Sequence, residues 1–246
     1  ISHVYEGGSK SGSVSVSLPT IPRASSFTLS SNSIYTNGTT TATITEADAS
    51  FAHKISGVYN NTTYYFLGSA SATSTALTSA LSVPTALRTA MKTANAKSIS
   101  MTLTLTTYSG STVIGTATTS LTITVPTATV TVSPASVACN SATTTWTLAN
   151  TDTTACTYTV QRLYGTTVRY TDMSQTGTQV TTKSSLANAN FQSNITTATS
   201  GTVTVKVTTY VGTTTVGTDT ATYTVTIPTT DYHPTVVYKT NSEERS

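Results

Sequence analysis

Charge is unusually scarce in this sequence, and its scarcity excludes more than any residue present suggests. Only 9% of the 246 residues are Asp, Glu, Lys or Arg. The net charge of +3 is scattered rather than gathered on one face, so the electrostatic footprint of a nucleic-acid binder is missing. No apolar run approaches the roughly 20 residues of a membrane-spanning helix, so no membrane insertion is expected. No basic-then-apolar stretch opens the sequence, so any export signal is expected to lie outside it. Cysteine is rarer still: Cys139 and Cys156 are the two. They flank a strand read at 143–149, which at roughly 3.3 Å per residue sets them ~20 Å apart, beyond the reach of a disulfide. Unbridged, semi-buried thiols are expected. The alternative is a staple formed in an oxidising compartment, but residues 23–126 contain no cysteine at all.

Groups that converge for catalysis are also scarce. His3, His53 and His233 have no metal-ligand spacing. His53 matches Tyr158 in the second half of the chain, which points to packing rather than ligation. No Gly-x-Ser-x-Gly elbow anchors a triad, and no glycine-rich phosphate loop follows a strand into a helix. Glu46 and Asp48 are neighbours on one acidic turn with no equivalents in the second half. They read as an exposed polar turn rather than as glycosidase carboxylates or a calcium site. No catalytic, metal or cofactor-binding residue is therefore expected. The Asn-x-Thr matches at Asn37, Asn61 and Asn194 are what chance supplies in a chain so rich in Thr.

What the chain has in abundance is Thr and Ser alternating with Val, Leu and Ile, the period-2 pattern of half-buried strands. Residues 101–126 return as residues 203–228, with Tyr108, Gly115 and Pro126 recurring as Tyr210, Gly217 and Pro228, each 102 later (210−108). Each copy alternates, turns at a glycine-containing loop, alternates again and stops at a proline, as a hairpin does. A spacing of about 100 residues is a whole small domain, so the repeat implies tandem modules at 23–126 and 127–228.

In the first module strands are read at Phe27–Ser30, Thr39–Glu46, Phe51–Tyr59 and Tyr64–Phe66, with a short strand in Ser31–Asn37. A single helix is read in 77–92, where Val83, Leu87 and Met91 stand four apart behind Pro84. The second module repeats the order at Thr129–Ser133, Val137–Cys139, 143–149, Thr157–Tyr164, Val168–Asp172 and 186–191. About seven strands per module predict an all-β fold of two tandem immunoglobulin-like β-sandwiches. Residues 1–22 are an N-terminal arm or the closing strand of a preceding module, and residues 229–246 a tail or the start of another. The linker Pro126-Thr127-Ala128 is short and proline-led, which predicts a semi-rigid rod. Tyr59, Tyr64, Tyr65, Tyr164 and Tyr170 are the candidates for a carbohydrate-stacking surface. Any recognition is expected where the copies differ, in loops 45–50 and 150–155 and around Tyr64 and Tyr170.

The runs Thr20–Ser26 (TIPRASS), Phe51–Ile55 (FAHKI) and Thr107–Pro126 together resemble the minor structural proteins of long-tailed bacteriophages of Gram-positive hosts. The resemblance covers roughly residues 14–228, and module 2 departs from it at Cys156–Val160. It implies a non-enzymatic component of a siphovirus tail or tail fibre, located in the virion. Other virion or fibre subunits would be its partners, with homo-oligomerisation and contact with a host cell-surface glycan as further expectations. The alternatives from the same composition are a bacterial surface adhesin or pilus stalk, at the cell surface or extracellular, and a carbohydrate-binding module.

Overall fold

The computed structural model describes residues 3–5, 8–10, 24–139, 143–178, 181–184 and 200–226. At the start of the chain β1 (His3–Tyr5) pairs antiparallel with β2 (Gly8–Lys10). The first module comprises β3 (Ser26–Leu29), β4 (Ser33–Tyr35), β5 (Thr39–Thr45), β6 (Phe51–Tyr59), β7 (Thr62–Leu67), β8 (Thr78–Ser82), α1 (Thr85–Thr93), β9 (Ser98–Ser109) and β10 (Thr112–Thr124). The second comprises β11 (Thr129–Ser133), β12 (Ser136–Ala138), β13 (Thr144–Ala149), β14 (Cys156–Tyr164), β15 (Thr167–Gly177), β16 (Thr181–Ser184), β17 (Ser200–Val211) and β18 (Thr214–Thr226).

The two modules share one topology. Sheets ordered β3-β5-β8 and β4-β10-β9-β6-β7 in the first correspond to β11-β13-β16 and β12-β18-β17-β14-β15 in the second. In each, the chain leaves the smaller sheet after one strand and lays the next parallel to the last strand of the larger sheet, β4 on β10 and β12 on β18. This division of strands is immunoglobulin-like, and the fold is all-β, with one short helix among the described residues.

Alternation explains which faces meet. β5 buries Thr40, Ala42 and Ile44, β6 buries Phe51, His53, Ile55 and Gly57, and β9 buries Ile99, Met101, Leu103, Leu105 and Thr107. Each large apolar side chain so buried stabilises the module by about 1.5–3 kcal/mol. The helix is shorter than residues 77–92 suggest, because Thr78–Ser82 pairs with β5 as a strand and Pro84 caps the helix only after it. Val83, Leu87 and Met91 do share the buried face. The strand read at 186–191, the N-terminal stretch read as a closing strand and the tail lie outside the described residues.

Register makes the modules comparable residue by residue. Phe27 pairs with Ile44 as Val130 pairs with Leu148, so Ala42 matches Trp146 and Thr40 matches Thr144. Across the larger sheets Gly57 matches Arg162, Phe66 matches Asp172, Met101 matches Val203 and Leu121 matches Tyr223. The cores are filled in different ways. Gly57 leaves room for Met101, whose Cε would lie 2.9 Å from a Cβ placed there. Module 2 puts the Arg162 side chain in that space, fully buried.

The Arg162 guanidinium meets both carboxylate oxygens of Asp172, at 2.7 Å from Nε and 3.2 Å from Nη2. Its Nη1 donates to Tyr223 Oη at 2.9 Å and to Thr144 Oγ1. Burial opposes the charge, but the Asp172 hydrogen bond and Tyr223 together hold the guanidinium above its ordinary pKa. Arg162 occupies a core-facing position of β14 with no hint of partnership in its immediate sequence, since Asp172 is brought to it by a bulge in β15.

The two thiols are wholly buried rather than semi-buried, and neither is in a disulfide. The Cys139 amide bonds to Thr226 O, whose residue pairs with Ser200, while Cys156 pairs with Val211. They sit at opposite ends of β17, about 36 Å apart at ~3.3 Å per residue.

Removing one member of the buried pair strands the other charge. Asp172→Asn is expected to destabilise module 2 by about 3–5 kcal/mol in urea unfolding, while Arg162→Met combined with Asp172→Leu recovers most of the loss. Equal stability of the single and double variants would contradict this account.

Candidate functional site at the joint between the modules

Where the two copies differ most in their surroundings is the joint, and it begins with the linker. Pro126 and Ala128 are buried, and the Ala128 amide donates to Thr209 Oγ1 at 3.0 Å. The Val130 amide donates to Asp219 Oδ2 at 2.8 Å. Thr127 crosses directly over Gly217, where a Cβ would lie 2.6 Å from its Oγ1. Module 1 has the same crossing: Ala24 lies over Gly115, and the Ser25 amide donates to Thr107 Oγ1 at 3.0 Å. The glycine of the long repeat therefore recurs because incoming chain must pass flat against it.

The C-terminal end of α1 faces module 2. The helix ends in a Schellman motif, with the Ala96 amide on Met91 O at 2.9 Å and the Asn95 amide on Lys92 O at 3.2 Å. Asn95 takes the left-handed conformation at φ +56°, which asparagine tolerates better than most residues. Its Oδ1 accepts from the Thr213 amide at 2.6 Å and from Thr213 Oγ1 at 3.0 Å, at the tip of the β17–β18 hairpin. Gly212 at that tip packs so closely on Asn95 and Lys92 that a side chain there would collide with both.

One turn before Lys92 on the helix, Arg88 Nη1 meets Asp152 Oδ1 at 3.2 Å. The same oxygen accepts the Thr154 and Ala155 amides at 3.0 and 3.1 Å, and the Asp152 side chain is fully buried. Asn37 Nδ2 reaches Thr151 O at 3.2 Å, and Asn150 Nδ2 reaches the linker at Thr127 O, 3.0 Å away. Arg88, Lys92 and Asn95 follow one another at i, i+4 and i+7, a polar stripe beside the buried Leu87 and Met91.

Two open grooves flank the joint. One of about 370 Å³ lies between residues 36–39 and 82–85, and one of about 430 Å³ lies beside Tyr35, Lys97 and Asn150. Neither gathers the several ionisable groups that chemistry would need. Among the described residues no three His, Cys, Asp or Glu come close enough to hold a metal, and no helix is long and apolar enough to cross a membrane.

The aromatic candidates fall on two hairpins, Tyr59, Tyr64 and Tyr65 on β6–β7 and Tyr164 and Tyr170 on β14–β15. Tyr64 is buried in the module 1 core, and Tyr59, Tyr164 and Tyr170 pack against core residues, partly buried. Strand parity places Tyr65, opposite Ser56, on the outer face of its sheet. Asp48 does have a counterpart, contrary to its reading as an unmatched turn. It lies 104 residues before Asp152 (152−48), with one extra residue in the second loop hiding the match.

His53 is fully buried, with Nε2 at 2.8 Å from Ser25 Oγ and no partner on Nδ1 among the described residues. In module 2 Ala128 and Tyr158 stand at these positions, and Tyr158 Oη instead accepts the Asp152 amide at 2.9 Å. The Ser25–His53 contact is enclosed within module 1.

Residues 6–154 match the profile of a family described as siphovirus protein of unknown function, DUF859, and those 149 residues (154−6+1) exceed half of the 246. The chain belongs to this siphovirus family. No curated protein sequence matches it. Among solved structures it is similar to a tetra-tandem repeat from the extending region of a large adhesion protein, at 11% identity and a TM-score of 0.31. That similarity covers 83% of this chain and 49% of the other, so the chain spans about half the length of that structure. Murine CEACAM1b is similar at 9% identity and a TM-score of 0.22, covering 83% of this chain and 99% of its own. The DUF859 match takes in module 1, the linker and the second module as far as the Asp152 loop, and so includes both sides of the Arg88–Asp152 contact.

The buried groups make two measurable differences. Burial holds His53 below its ordinary pKa of 6.5, against a smaller opposing effect of Glu46. The unfolded chain then takes up a proton first, so the stability of module 1 is full above about pH 6.5 and falls as the pH drops below it. The double variant Ser25→Ala with His53→Tyr, which installs the module 2 pair, is expected to lack this step in unfolding midpoints measured across that range. For Cys156, burial and then the nearby Asp152 push the thiol up to about 12. An aromatic disulfide reagent near pH ~8 is expected to leave Cys156 unmodified in the folded protein and to label it on unfolding. Rapid labelling of the native protein at Cys156 would contradict the burial.

Proposed function

We propose that the chain is a non-enzymatic structural or host-adhesion component of a siphovirus tail or tail fibre, its two modules acting as a semi-rigid spacer. The observation that carries this reading is the joint. A helix end, a buried linker and a hairpin tip interlock through Arg88–Asp152, Asn95–Thr213 and the Gly212 contact, so bending there breaks several interactions at once. Two modules held end to end transmit position and force, which a spacer needs and an enzyme domain does not. Membership of a siphovirus family supports the virion as the place where that property is used. Neutral Thr- and Ser-rich sheet faces limit nonspecific adhesion of the rod. Its partners in this reading are other virion or fibre subunits, copies of itself included, with a host-surface glycan as the receptor class.

Electron microscopy of intact phage decorated with antibodies to this chain tests the proposal. Label along the tail or its fibres is the expected result, and label confined to host lysate with none on particles would sink it. Retention of the purified chain on host cell wall tests the adhesive half separately. If Tyr65 contributes a stacking face, Tyr65→Ala lowers retention with no change in unfolding midpoint, and unchanged retention leaves the spacer role alone.

A further inference from the structure

The end of module 2 that receives module 1 is made of three parts: the Asp152 loop, the Gly212-Thr213 hairpin tip and the linker crossing beside Thr209. Module 1 carries all three at its own N-terminal end. Asp48 Oδ1 accepts the Ser50 amide at 2.8 Å, and its carbonyl accepts the Phe51 amide at 3.2 Å. The corresponding turn of module 2 is one residue longer, with Asp152 Oδ1 accepting the Thr154 amide and its carbonyl accepting the Cys156 amide. Gly110 at φ +59° matches Gly212 at φ +56°, and Ser111 matches Thr213. Ala24 crosses Gly115 as Thr127 crosses Gly217.

What differs among the described residues is occupancy. Asp152 is buried against Arg88, whereas Asp48 is exposed. Gly212 is closed over by Lys92 and Asn95, whereas none of the described residues comes within 4 Å of the open side of Gly110.

We propose that this end of module 1 is the docking face for another immunoglobulin-like module preceding it. That module would present a cation where Arg88 stands and a side-chain acceptor where Asn95 stands. The chemistry is complementary: Asp48 supplies a carboxylate, and Ser111 supplies an amide and a hydroxyl without an acceptor among the described hydrogen bonds. The Ser50 amide, then its hydroxyl, hold the Asp48 carboxyl below its ordinary pKa, so it is charged at neutral pH. A second copy of the whole chain does not supply this partner through its α1, because module 2 of that copy already covers the helix end. The joint is head-to-tail, and repeating it extends a rod rather than closing a dimer. The inference concerns the joint alone and holds whichever surface the rod serves.

A three-module protein tests it: the full chain from Ala24 onward, preceded by a second copy of residues 24–126 with Pro126 of the added copy joined to Ala24. Ala24 holds the Thr127 position, so this join reproduces the native spacing. Spin-label distances are measured across the new joint and across the native one. Equally narrow distance distributions are expected, with Asp48→Asn in the following module broadening the new joint only and Asp152→Asn broadening the native one only. Arg88→Ala in the added copy removes the cation from the other side and is expected to broaden the new joint as well. Unfolding curves confirm that each module is folded in every variant. A broad new joint beside a narrow native one overturns the proposal, and so does a new joint that stays narrow through both Asp48→Asn and Arg88→Ala.

Discussion

The crossing of incoming chain over the long hairpin is the constraint on which the rest of this structure depends. A backbone amide entering a module, Ser25 or Ala128, is buried there and must find an acceptor, and Thr107 or Thr209 supplies it. The next residue back lies flat on Gly115 or Gly217, the position at which a Cβ would collide. With the chain held this way, the first strand of each module starts in a set place, and the hairpin tip of module 2 is brought against the helix end of module 1. The joint follows from the entry geometry, and Arg88 and Asn95 then hold it.

On one scaffold the two modules reach stable cores by different chemistry. Module 1 uses Gly57, Met101 and Phe66, leaving space at one strand for a flexible side chain from the next. Module 2 uses Arg162, Val203 and Asp172, placing an ion pair where the first has apolar atoms. Such a pair is weakly stabilising compared with a well-packed apolar core, but it punishes any arrangement that separates its members. The same holds at the joint, where Asp152, buried in the face that module 2 presents, meets Arg88.

Much of the fold is legible in the sequence because strand alternation and turn residues act locally. The strands at Phe51–Tyr59 and Thr129–Ser133 have the bounds that their alternation predicts. The helix starts later than its apolar spacing suggests, because Val83, Leu87 and Met91 share a face although only the last two lie in the helix. The candidate site is much less legible. Asp48 and Asp152 are separated from one another's register by a single inserted residue, and the tyrosines read as a surface because alternation alone does not say which face of a sheet is inside. Arg162 and Asp172 meet only through a bulge, which shifts side-chain parity within one strand. One signal for the joint is present and readable: Arg88, Lys92 and Asn95 at helical spacing beside an apolar stripe.

Composition and periodicity alone set the class of structure: β-modules in tandem, rich in Thr, poor in charge, joined by a short proline-led linker. These properties are set by composition and by periods of two and about a hundred residues, which need no knowledge of what touches what. Which ends meet, which acid is buried and which of two equivalent glycines is covered are settled by packing in three dimensions. Those depend on the stacking of one module on the next, through contacts such as Arg88–Asp152 and Asn95–Thr213, 64 and 118 positions apart, that no local pattern encodes.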